Sequence, residues 1–150
     1  MTTLLTVQTY PSIRAALGVL VDSNLLPDPV IQLDLYAGRA QSWLEAKDPL
    51  WATRTGADRQ HLVNAVVLRC AGLLASVMPA LTAEAFAGEY NYSQTPVDWT
   101  ARAAALMADA EDEVQAVIAS EDDAVTATMP VMFSSAKPYT PGGLVGGRGR

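Results

Sequence analysis

The stretch that decides the fold is residues 58–78, DRQHLVNAVVLRCAGLLASVM, which contains the longest apolar run of the 150-residue chain. Its apolar side chains recur around most of a helical circumference, which predicts a helix that begins at the N-cap Asp58 and ends before Pro79. A membrane span needs about 20 apolar residues, and Asn64 and Arg69 interrupt this run. The stretch therefore predicts the central helix of a bundle or a helix in a subunit interface.

The rest of the body shows the same helical patterning, with alanine common and no region of regular strand-like alternation. Proline and N-cap signals predict further helices over about 10–21, 28–47 and 95–120, and a short helical turn over 82–87. We therefore predict an all-α fold, a bundle of about four helices with one short extended loop near residues 88–93. The last helix is expected to turn its apolar residues toward the core, namely Val97, Ala101, Ala104, Ala105, Ala108, Val114, Val117 and Ile118.

Composition narrows the classes of function. Half of the residues are hydrophobic and 17% are charged, as expected of one folded domain, and a net charge of −6 disfavours a protein that grips phosphate backbones. The single cysteine, Cys70, lies among apolar residues and is predicted to be an inert buried thiol, and no disulfide framework is possible. The single histidine, His61, is predicted to be a polar residue near a helix start without a partner. We therefore expect no enzyme, no metal and no cofactor, and a soluble intracellular protein without a secretory signal.

The last predicted helix contains seven acids and no base between residues 109 and 123. Their spacing does not match a calcium-binding loop, and the glycine that such a loop requires is absent. A solvated acidic face is the simplest interpretation, and a surface that repels nucleic acid, as in a channel through which DNA slides, is the alternative. The candidates for facing such a channel are Asp109, Glu113, Glu121, Asp122 and Asp123.

The composition changes after Asp123, which predicts a helical body over 1–123 and an extended tail over 124–150. The tail combines prolines, glycines and basic residues with apolar side chains, which favours a segment that orders on a partner over an inert linker. A disordered tail and weak nucleic-acid binding through the terminal arginines remain alternatives. The candidate partner-binding residues are Met132, Phe133, Tyr139, Leu144, Val145, Arg148 and Arg150. Tyr90 and Tyr92, in the extended loop, are candidate interface residues or lids over the core.

The order of these elements resembles the head-to-tail connector proteins of tailed bacteriophages, also called adaptors or head-completion proteins. The resemblance covers about residues 5–120 and depends on the Asp28-Pro29 helix start, the apolar helix from Asp58 and the loop GEYNYS over residues 88–93. It also includes the final helix with the sequence ARAAALMADAE over residues 101–111.

The resemblance implies a structural adaptor without catalytic residues. Subunits would form a homo-oligomeric ring, a dodecamer, beneath the portal protein, where the ring extends the DNA channel and docks a tail or stopper protein. DNA would pass without sequence-specific binding, no membrane would be contacted, and the C-terminal segment would grip the portal. The protein would be made in the host cytoplasm and reside in the virion at the head-tail junction.

Two other classes compete with this interpretation. A small terminase-like DNA-packaging subunit would bind nucleic acid through a basic recognition helix, but the last predicted helix has only Arg102. A small enzyme or an accessory subunit is disfavoured because the chain has one histidine, one cysteine and no spaced set of ligands.

Overall fold

The computed structural model describes residues 3–18, 21–86 and 97–128, and every regular element in these ranges is helical. The predicted all-α fold is confirmed. The α-helices are α1 (Tyr10–Leu17), α2 (Asp28–Ile31), α3 (Arg39–Lys47), α4 (Gly56–Ala75), α5 (Met78–Phe86) and α6 (Trp99–Thr128). Shorter helical turns are the 3-10 turns Val7–Thr9 and Trp51–Thr53 and the π-helical turn Asp34–Gly38.

Helix α4 is the centre of the bundle, as the apolar run predicted. It contacts α1, α3 and α6, and its side chains belong to one continuous core. It begins at Gly56, two residues before the predicted start, with Thr55 rather than Asp58 as the N-cap residue. Its fully buried large side chains are Leu62, Val66, Cys70 and Leu74.

Helices α4 and α6 pack side by side in antiparallel directions. Asp58 lies beside Ser120 at one end, with 3.5 Å between the carboxylate and hydroxyl oxygens. Toward the other end, a Cβ on Gly72 would lie 2.9 Å from the Cγ of Met107 and 3.4 Å from the Ala103 carbonyl oxygen. The two helices therefore approach closely at a position where α4 has no side chain.

The predicted second helix over 28–47 is wrong in one respect, because it is interrupted after α2. Leu33 has φ −56° and ψ 136°, which is outside the helical region, and the π-helical turn Asp34–Gly38 precedes α3. In an unbroken α-helix, Ile31 and Tyr36 would point about 140° apart. The interruption lets both be buried, and it leaves Leu35, which the regular spacing placed in the core, exposed to solvent.

The ends of two other predicted helices also differ. Helix α1 stops at Leu17 rather than near residue 21, because Gly18 has φ +152°, a conformation that side chains other than hydrogen rarely allow. Pro79 does not end a helix but is the second residue of α5, where its missing N–H leaves no hydrogen bond unmade. Residues 82–86 of the turn predicted over 82–87 are the second half of that nine-residue helix, and residue 87 lies outside the described ranges.

Helix α6 is longer than predicted and buries a different face. It runs eight residues past residue 120, so the proposed boundary at 123 falls within a helix, and residues 129–150 lie outside the described ranges. Its buried stripe is Leu106, Ala110, Val114 and Val117, with Ile118 partly buried. Val97, which was predicted to be in the core, is exposed. Four alanines predicted to be in the core are exposed too, and we call them the outward face of α6: Ala101, Ala104, Ala105 and Ala108. The larger side chains decide which face is buried, because they remove more apolar surface from water.

Candidate functional site

Among the described residues, the acids of α6 form several ion pairs and hydrogen bonds with the rest of the body. Of the acidic candidates, Asp109 and Glu113 lie one turn apart on the same flank, whereas Glu121 is engaged two turns further along. The side chains of Asp122 and Asp123 lie outside the described part, as do the interface candidates Tyr90 and Tyr92. The tail candidates are outside it too: Met132, Phe133, Tyr139, Leu144, Val145, Arg148 and Arg150.

The five acids with described side chains do not form one solvated face, because they lie on both sides of the buried stripe. On one side Glu111 accepts a hydrogen bond from Trp43 Nε1 at 3.3 Å and pairs with Lys47 Nζ at 2.8 Å. The hydrogen bond from Lys47 lowers the pKa of Glu111. The guanidinium of Arg69 lies 5.0 Å from the centre of the Trp43 ring, within range of a cation–π interaction. This group ties α3, α4 and α6 together.

On the other side, His61 of α4 contacts Glu113 of α6, with 2.6 Å between Nδ1 and Oε2. The prediction that His61 has no partner is therefore wrong. The pair lies in an open surface concavity of about 430 Å³, lined by His61, Leu68, Asp109, Asp112, Glu113 and Ala116. The carboxylates of Asp109 and Asp112 are exposed there, so this concavity is negatively charged and faces solvent.

At the end of the bundle, Arg54 joins two carboxylates in what we call the Arg54 clasp (Arg54, Asp48 and Glu121). Its Nε and Nη2 atoms donate to Asp48 at 2.9 and 3.1 Å. Its Nη2 and Nη1 atoms lie 2.9 and 2.5 Å from the two oxygens of Glu121. The Arg54 and Asp48 side chains are 9% and 3% exposed, so this is a buried ion pair with a half-exposed third member.

The hydrogen bonds of the Arg54 clasp stabilise the charged forms of Arg54 and Glu121. The hydrogen bonds that Arg54 donates to Glu121 and Asp48 raise the pKa of its guanidinium, so Arg54 is charged at every accessible pH. The bond from Arg54 in turn lowers the pKa of Glu121. Asp48 also accepts the Leu50 backbone N–H at 3.0 Å. Sequence reasoning missed the clasp because its members are 6 and 67 residues apart and form no motif.

The described residues offer few groups suited to covalent or metal chemistry. In these ranges no three His, Cys, Asp or Glu side chains are placed to hold a metal ion. Burial raises the pKa of the Cys70 thiol to about 12, which suppresses the thiolate that a nucleophile requires. None of the described helices is long and apolar enough to cross a membrane.

Several basic side chains are held by acids or carbonyl groups of the body. Arg14 pairs with Asp28 and donates Nε to the Leu26 carbonyl at 2.9 Å. Arg102 donates to the Ala16 carbonyl at 2.6 and 3.2 Å. Lys47 and Arg54 are likewise paired with acids. More than half of each of these apolar side chains is exposed: Val7, Leu33, Leu35, Leu50 and Val97.

No family model matches the chain, and neither a curated protein nor a solved structure matches it.

Proposed function

We propose that the protein is a structural head-to-tail adaptor of a tailed bacteriophage. Copies would form a ring beneath the portal protein, extend the DNA channel and dock a tail or stopper protein. The observation that carries this proposal is the outward face of α6, an exposed row of small side chains beside an acidic concavity. The type of assembly, a ring beneath the portal protein, is inferred from the resemblance in the order of the elements.

The outward face of α6 is suited to contact with another helix. The separation of packed helix axes is about 8–10 Å and depends on the side chains at the contact, so alanines permit the shorter distances. Arg102, on the same helix, is bonded to the Ala16 carbonyl and so is held toward α1. A second copy of the protein could therefore approach this face without displacing a long charged side chain.

The acidic concavity suits a surface that DNA must pass. Asp109, Asp112 and Glu113 would repel phosphates, whereas a wall of free lysines and arginines would retain them. Asp109 and Glu113 are the channel-facing candidates best placed for this role. Glu121 would contribute less, because Arg54 neutralises it.

The assembly is tested by the native mass of the full-length protein, alone and with the portal protein of the same phage, together with negative-stain images. We expect rings with a central hole in at least one of these samples. Ala104→Arg with Ala108→Arg should abolish them, because two long charged side chains would occupy the contact. Ala46→Arg, at an exposed position of α3, is the matched control and should leave rings intact. A protein that stays monomeric in both samples refutes the proposal.

A small terminase-like subunit that binds nucleic acid is the competing function. Arg14, Lys47, Arg54 and Arg102 are engaged within the body. No described helix carries more than two lysine or arginine residues, so this interpretation lacks a strongly basic recognition helix in that part of the chain. A stable dimer that binds DNA, with affinity falling steeply as salt rises, would favour it over the adaptor.

A further inference from the structure

We draw no further inference here: the strongest candidate, the open concavity between α4 and α6 that the His61–Glu113 pair lines together with the exposed carboxylates of Asp109 and Asp112, is an acidic cluster that belongs to the site already described, and nothing in the described part of the chain shows what would occupy it.

Discussion

Replacing Arg54 by methionine should destabilise the protein more than replacing a charged residue of an exposed ion pair. Methionine keeps most of the length and apolar surface of the side chain but removes the guanidinium. Asp48, which is 3% exposed, then loses the cation that compensates its burial. Removing one partner of a buried ion pair costs about 3–5 kcal/mol.

Two features of the structure place the loss near the lower end of that range. Asp48 retains the hydrogen bond from the Leu50 N–H at 3.0 Å, which partly stabilises the remaining carboxylate. Glu121 is half exposed, so water can solvate it once Arg54 is gone. We therefore expect a loss of about 3 kcal/mol in the free energy of unfolding. For a domain of this size that corresponds to a fall in Tm of about 6–12 °C.

The assay is urea unfolding followed by far-ultraviolet circular dichroism. The m-value should stay constant while the midpoint falls, because the surface exposed on unfolding is unchanged. The matched control is Lys47→Met, which breaks the pair with Glu111 between side chains that are both more than a third exposed. Its effect should stay within about 1 kcal/mol.

A second substitution isolates the cause. Adding Asp48→Asn to Arg54→Met removes the uncompensated charge, so the double variant should recover at least about 1 kcal/mol of the loss. The reasoning is refuted if Arg54→Met costs no more than Lys47→Met. It is equally refuted if the double variant is less stable than Arg54→Met alone.

Three further predictions concern α4, α6 and their contact. Gly72→Val should lower the free energy of unfolding by about 1–3 kcal/mol in the same urea assay. The reason is that even a Cβ at this position would lie 2.9 Å from the Cγ of Met107, so the valine side chain would collide with it. An unchanged midpoint would contradict the close approach of the two helices. Because Arg54 holds the pKa of Glu121 below its ordinary value of 4.5, this pair stabilises the fold above pH 4.5, and the contribution is lost as the pH falls through the lowered pKa. Glu121→Gln should accordingly flatten the dependence of stability on pH below 4.5, and identical curves would argue against the bond. Cys70 should react with a thiol reagent at pH 8 at least about a hundredfold more slowly in the native protein than in urea, since burial raises its pKa to about 12, and comparable rates would refute its burial.

The general fold was predictable because one signal dominates it. The apolar run in α4 surrounds most of its helix, and such a helix is stable in water only when other helices cover it. The all-α class and the central place of α4 follow from that run. The core face of α6 was predicted wrongly, because a helix rich in alanine has apolar residues on several faces. The packing against α4 selects the face with Leu106, Val114 and Val117.

The candidate site was predictable only in its composition. The acidic content of residues 109–123 is evident from the sequence. The sequence does not show that individual acids pair with Lys47, His61 and Arg54. These pairs join residues more than fifty positions apart, and a one-dimensional pattern contains no signal for them. The interruption after α2 has the same origin, since it serves to bury both Ile31 and Tyr36.

The sequence by itself determined that this chain forms helices around one apolar helix, because periodicity and proline or glycine placement act over a few neighbouring residues. Only the tertiary structure decided which acids are neutralised and which face of α6 stays open. Those choices depend on which helices meet and in what register. A carboxylate placed against a buried guanidinium and one placed against water look the same in the sequence, yet they differ in pKa and in charge presented to a partner.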